Sequence, residues 1–302
     1  MSTRPLISIV LPTYNGSRYL AASVASVLRQ SYPHWELLLQ DDCSTDGTPE
    51  LIARLAAGDS RIKPVRNSVN LRLPNSLNAG FARAAGEFLT WTSDDNEYRP
   101  EALEAMLGLL TSDPAAGLVY CDMTYMDDDG RPQEAWVAPE PETIGSTNPV
   151  GGCFLYRRTV LDLVGGYDDR WRLVEDWEYW IRVAMRFPIR ALHRDLYLYR
   201  RHAGSLTTTR AAEVRRIRLA MLSERVPQLP VTSRHHRAVA YLHLARMATE
   251  QGDAVQASAF HRKALRLDPV RSSLVVAARR LLGPEGAGTV RQWWRRRFRG
   301  AA

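Results

Sequence analysis

Two adjacent carboxylates, Asp94 and Asp95, sit in the stretch TWTSDDNEY, directly after a run at 86–91 that reads as a buried strand. Neighbouring like charges repel, so such a pair implies a metal site, an acid/base pair, or a polar turn. Two other strand-like runs end the same way. ISIVL at 7–11 leads into PTYN, and WELLLQ at 35–40 leads into DDCSTDGT. In an open parallel sheet, ligands bind beyond the carboxyl ends of the strands, so these three polar ends would converge on one crevice. Neither common glycine-rich phosphate loop is present. A diphosphate in this crevice would therefore need a divalent cation. Magnesium commonly takes one or two carboxylates, with phosphate oxygens completing the shell. Taken alone, SDD before a helix is more often a capping turn than a metal site. Thr45-Asp46-Gly47 and the Asp129-Gly130 end of MDDDG read as turns.

The elements that must position these residues alternate. After the first strand, residues 19–30 place Leu20, Val24, Val27 and Leu28 on one helical face. After the second, Thr48 reads as an N-cap with Pro49 at the first helical position. Further strands are expected at 62–65, 116–120, 154–156 and 189–199, and further helices at 75–85, 99–110 and 174–186. Strand–helix alternation of this kind predicts an α/β fold, a mostly parallel sheet flanked by helices. Residues 132–150, rich in Pro and Glu, read as a long loop of the kind that often carries function.

The chain has 302 residues and a net charge of +7, unevenly spread. Residues 1–210 carry 22 Lys and Arg against 27 Asp and Glu; residues 211–302 carry 18 against 6. This asymmetry predicts two functional halves, a domain over 1–210 and a basic helical domain over 211–283 that faces something anionic. Within the latter, Tyr241, Leu244, Ala245, Ala257, Ala264 and Pro269 fall at the signature positions of one tetratricopeptide-like hairpin. The tail at 284–302 interleaves Arg with Trp293, Trp294 and Phe298, which suits a membrane surface better than nucleic acid, for which no recognition motif is present. The three cysteines lack zinc-site spacing, and the start reads as a strand rather than a signal peptide. The expected location is cytoplasmic, peripheral on the inner face of the cell membrane.

The opening, SIVLPTYNGSRYLAASVASVLRQSYPHWELLLQDDCSTDGT, resembles that of the family 2 inverting glycosyltransferases. GEFLTWTSDDN, VGGCFLYRRTVLDLVGGYDD, EDWEYWIRV and YRRHAGSLT follow in the family's order, so the resemblance covers about 5–207. It implies the GT-A nucleotide-diphosphosugar transferase fold and a bound Mg²⁺ or Mn²⁺. It also implies roles for individual residues. Tyr14 would stack on the nucleotide base and Pro12 would touch it through its backbone. Asp42 would bind the base, supported by Asp41. Asp94 would face the ribose or the metal, Asp95 would ligate the metal, and His202 would return to the diphosphate or metal. Asp176, beside Glu175, would be the catalytic base. One departure stands out: many relatives carry an acidic residue where this chain has Thr92. The implied reaction moves a sugar from a nucleotide-diphosphate sugar, a UDP-sugar first, to a hydroxyl of a glycan or lipid-linked acceptor. A non-catalytic nucleotide-sugar or glycan binder on the same fold is the alternative. A sugar nucleotidyltransferase would open with a glycine-rich loop containing Arg, which LPTYNGSRY is not.

Overall fold

The computed structural model describes residues 4–230, 234–269 and 272–273. The chain divides into two compact units, Met1–Arg218 and Leu219–Ala302. In the first, β1 (Ile7–Thr13), α1 (Leu20–Leu28), β2 (Trp35–Asp41), α2 (Thr48–Gly58), β3 (Ile62–Arg66), α3 (Arg72–Phe81) and β4 (Phe88–Trp91) alternate in order. There follow β5 (Glu97–Tyr98), α4 (Ala102–Ser112), β6 (Leu118–Met126), β7 (Pro132–Trp136), β8 (Phe154–Arg157), α5 (Arg158–Val164), α6 (Glu175–Ala184), β9 (Ile189–Arg200) and α7 (Leu206–Thr209).

Among the described residues nine strands form one sheet, ordered β3-β2-β1-β4-β8-β6-β9-β5, with β7 pairing to β6. Every residue of β1 and β2 is buried, as expected of central strands written as continuous apolar runs. β3 lies at the edge, where Pro64 costs no ladder hydrogen bond that a central strand would need. Leu20, Val24 and Val27 of α1 and Leu103, Met106 and Leu110 of α4 share one core with Ile9, Leu11, Leu37 and Leu39. Each such side chain contributes about 1.5–3 kcal/mol on full burial, so the strand ends are held by a stiff platform.

β3, β2, β1 and β4 run parallel, but β8 enters antiparallel between β4 and β6, and β6 runs parallel to β9. The sheet is mixed, with six of its nine strands running the same way. The expected helix at 75–85 is α3, which begins at Arg72, because its start is set from outside by the Asp42 carboxylate, which accepts the Leu71 and Arg72 N–H groups. Thr48 lies inside α2; Gly47 holds the cap position, and Asp46 accepts the Thr48 N–H at 3.0 Å. Residues 132–150 contain β7 and a short 3₁₀ turn at Pro141–Gly145 rather than one long loop. β7 is largely exposed and carries little apolar pattern to reveal it.

α8 (Ala211–Arg225) follows, then α9 (Arg234–Glu250) and α10 (Ala254–Leu267). The first unit continues past the composition change at 210. Val214 is buried, Glu213 lies 4.0 Å from Arg172, and the Arg218 guanidinium sits 5.6 Å from the Trp177 ring. In the second unit α9 and α10 pair through stacked Tyr241 and Phe260. Gly252, at φ +80°, makes the turn, and Asp253 caps α10 through the Gln256 N–H. The likeness of this pair to a tetratricopeptide unit rests on the sequence positions alone. The basic tail at 284–302 lies outside the described residues.

Candidate active site

Register brings the polar strand ends together. Thr13 lies opposite Asp41, and Val10 opposite Trp91, so all three motifs leave the sheet on one edge. Pro12 is buried within β1, while the Tyr14 ring is 51% exposed beside the cleft edge. Asn15 takes a left-handed φ of 54°; its N–H donates to Ser44 Oγ and its Oδ1 accepts the Thr45 N–H, tying the two loops. A Cβ on Gly16 would stand 2.0 Å from Asp94 Oδ2 and 2.3 Å from Thr13 Oγ1, so only glycine lets this loop close on Asp94.

Asp41 accepts the Ser44 N–H at 2.9 Å and pairs with Arg66. Asp42 is buried with both oxygens engaged. Oδ1 accepts from Asn67 Nδ2 at 2.7 Å and the Leu71 N–H at 2.8 Å, and Oδ2 accepts the Arg72 N–H at 2.9 Å. The carboxylate thus shapes the loop into α3.

Asp94 accepts the Thr13 hydroxyl at 2.5 Å. Burial, with the neighbouring Asp95 charge adding to it, pushes its carboxyl up to about 6 against the opposing Thr13 hydrogen bond. Asp95 is placed against His202 by a device only two residues long. β5 pairs antiparallel with β9, Glu97 opposite Leu198, so the stretch after the carboxylates is pinned beside the strand that delivers His202. Asp95 Oδ2 lies 3.0 Å from His202 Nε2, and Asp95 Oδ1 is buried with no hydrogen-bond partner. A buried, unpaired carboxylate oxygen is costly unless something binds it. Among the described residues no three His, Cys, Asp or Glu side chains form a complete metal cage. Asp95 and His202 nevertheless fit a divalent cation whose remaining positions would be taken by other oxygen ligands. Thr92 is buried, its hydroxyl 2.6 Å from the Tyr197 hydroxyl, so it takes a packing role.

Asp176 belongs to a second cluster, in the first turn of α6. Its Oδ2 accepts from Asn148 Nδ2 at 2.8 Å. Burial raises its proton affinity, while the Trp177 N–H, Asn148 and the charge of Arg218 oppose that rise. Glu175 is only 5% exposed, its Oε2 has no partner, and burial beside the Asp176 charge pushes it up to about 8. The folded protein therefore keeps this proton after the unfolded chain has lost its own. Stability is full below the ordinary glutamate range and is lost as pH rises toward about 8, at roughly 1.4 kcal/mol per pH unit. Glu175→Gln removes that slope: between pH 5 and pH 8 its thermal midpoint falls less than the wild type's. Parallel melting profiles for the two proteins would mean that Glu175 ionises normally.

The chain matches the family model described as Glycosyl transferase family 2 over residues 8–165, just over half its length. The chain belongs to glycosyl transferase family 2. It is 33% identical over 153 residues to TuaG of Bacillus subtilis (strain 168), a glycosyltransferase named for teichuronic acid biosynthesis; the match covers 50% of this chain and 60% of TuaG. Among solved structures, S. aureus TarS 1-349 in complex with UDP-GlcNAc superposes with a TM-score of 0.69 at 18% identity, over 96% of this chain and 91% of that one. The mannosyltransferase PcManGT from Pyrobaculum calidifontis, in complex with GDP-Man and Mn²⁺, superposes with a TM-score of 0.61 at 19% identity, over 91% and 79%. At these identities the structures show the fold, which is GT-A-like, with a curled mixed sheet flanked by helices and a helical C-terminal region.

The Asp95–His202 cluster also contains residues that the sequence did not single out. The Tyr19 hydroxyl donates to Asp128 Oδ1, Arg18 Nη2 donates to Asp128 Oδ2 at 2.7 Å, and the Tyr19 ring lies 5.2 Å from the His202 ring. The turn after β6 closes as expected, with Asp127 Oδ1 accepting the Asp129 and Arg131 N–H groups. Asp128, however, reaches across to the start of α1. Only the adjacency of acidic residues in MDDDG hinted at this, and local turn chemistry explained that adjacency first.

Proposed function

We propose that this chain is a metal-dependent inverting glycosyltransferase. It moves a sugar from a nucleotide-diphosphate sugar, a UDP-sugar first, to a hydroxyl of a glycan or lipid-linked acceptor in surface polysaccharide synthesis. The carrying observation is the Asp95–His202 pair, with its unpartnered carboxylate oxygen at the edge where the parallel strands end. The UDP-GlcNAc complex of TarS, the GDP-Man and Mn²⁺ complex of PcManGT and the name of TuaG support the reading.

Tyr14 offers an exposed ring for a nucleotide base to stack on, and Pro12 backs it from β1. Asp42, its carboxylate fixed by the 67–72 loop, would bind the base, with Asp41 supporting the loop that carries Asp42. Asp94, held by Thr13, faces the ribose or the metal. Asp95 and His202 would hold Mg²⁺ or Mn²⁺. Such an ion, when bound, neutralises charge developing on the diphosphate as the sugar leaves. Asp176 accepts the proton of the attacking acceptor hydroxyl, and its raised proton affinity suits a general base. A single attack from the face opposite the diphosphate inverts the anomeric centre. No helix among the described residues is long and apolar enough to cross a membrane. The same reading seats the enzyme on the cytoplasmic face of the membrane through the basic tail.

The test is release of nucleoside diphosphate from UDP-, dTDP- and GDP-sugars with Mn²⁺ or Mg²⁺. Release from one nucleotide class, abolished by EDTA, is expected. No release from any donor would favour a non-catalytic binder.

A further inference from the structure

Arg200, the last residue of β9, is 5% exposed and carries no role in the reading above. Its own N–H donates to Asn96 Oδ1 at 2.8 Å. Its guanidinium then directs four N–H groups to two other segments, 95–97 and 127–128. Nε donates to the Asp95 carbonyl at 2.9 Å, Nη1 to the Asp127 and Asp128 carbonyls at 3.1 and 3.0 Å, and Nη2 to Glu97 Oε1 at 3.2 Å. The guanidinium also lies 4.8 Å from the centre of the Tyr19 ring, and Tyr19 itself holds Asp128. A Cβ on Gly130 would come within 3.3 Å of Nη1, so the turn after β6 is folded directly onto this side chain.

These contacts have one common effect. The main chain at Asp95 is fixed by a donor from the same strand end that delivers His202, two residues further on. A buried guanidinium needs its carbonyl acceptors, because leaving a buried charge partly unpaired is strongly unfavourable. The loop after β4 and the turn after β6 are therefore held in one arrangement. A rigid planar fork can serve these directions at once; a lysine ammonium or a glutamine amide cannot.

We propose that Arg200 is a positioning residue for the cation site: by holding the Asp95 main chain and the 127–130 turn, it keeps the Asp95 carboxylate beside His202, where the two would hold a divalent cation. This rests on the metal-dependent reading above, and it predicts an effect on metal affinity separate from the effect on nucleotide binding.

The test uses the full chain as wild type, Arg200→Gln and Arg200→Lys. Mn²⁺ binding is titrated by electron paramagnetic resonance in the presence of UDP or GDP, and metal-free nucleotide binding is measured by calorimetry in EDTA. Mn²⁺ binding should weaken about tenfold in the glutamine variant and several-fold in the lysine variant, as for loss of shared second-layer support at a metal site. Metal-free nucleotide binding should stay within about twofold, and turnover should recover at high Mn²⁺. Should the glutamine variant fail to fold, the lysine variant, which keeps a buried cation, carries the same comparison. Unchanged Mn²⁺ affinity in the variants, or an equal loss of metal-free nucleotide binding, overturns the inference alone. A wild type that binds no Mn²⁺ with either nucleotide overturns the metal-dependent reading and this inference with it.

Discussion

Asp176→Asn is expected to lower kcat/KM by about 10²–10⁴-fold while leaving donor binding within about twofold. Asparagine keeps the size of the side chain and can still present an oxygen to Asn148 Nδ2, so the first turn of α6 keeps its shape. What it loses is the capacity to accept a proton. The wild-type carboxylate also sits where burial raises its proton affinity, against the Trp177 N–H, Asn148 and the charge of Arg218. The measurement pairs acceptor-dependent transfer with calorimetric binding of UDP and Mn²⁺. Transfer that persists would put the base elsewhere, with the neighbouring Glu175 next to be tested. Lost donor binding would place Asp176 in the donor pocket rather than on the acceptor side.

The second large effect couples activity and stability in opposite directions. Asp95→Asn removes one charge of the repelling pair while keeping the size of the side chain and an oxygen that can face His202 Nε2. Asp94 then loses the charge that adds to its burial, and its carboxyl falls back from about 6 toward the ordinary range. In EDTA the variant should gain about 1 kcal/mol, or roughly 2–4 °C in Tm, the scale of relieving one pair of neighbouring like charges in a domain of this size. The sign follows from the protonation change. Asp94's raised value means stability is lost as pH rises through about 6, and the variant loses less of it. With Mn²⁺ and nucleotide the order reverses: the wild type gains stability by binding and the variant does not. Turnover should fall at least about a hundredfold. Thermal melts with and without Mn²⁺ decide it. A variant still stabilised by Mn²⁺ to the wild-type extent would move the cation away from Asp95.

The strand ends were legible in the sequence because continuous apolar runs stop abruptly at polar groups, and burial on both faces of β1 and β2 demands such runs. The same logic failed for β7, whose exposed residues carry no pattern, and for β5, too short to have one. The mixed character of the sheet was hidden because the apolar run of β8 looks the same whichever way it is threaded. At the site, Asp94, Asp95 and His202 could be named from motifs, and the pairing of Asp95 with His202 could be guessed. The Tyr19–Asp128 bond spans 109 residues and Arg200 joins three segments, and no local rule connects residues at such separations. Asp42 shows the converse: its type was noticed, but its engagement with the amides opening α3 could only be seen once the loop was folded.

The path of α8 bears on how such enzymes can be cut and recombined. Composition changes at 210, and a cassette exchanged there would seem to carry a whole catalytic module. That cassette would leave Glu213, Val214 and Arg218 behind, and with Arg218 the cation that bears on Asp176. The transferred piece would keep every motif by which the family is recognised, yet its Asp176 carboxyl would hold its proton more tightly. The functional seam lies inside a helix, where neither charge nor composition marks it.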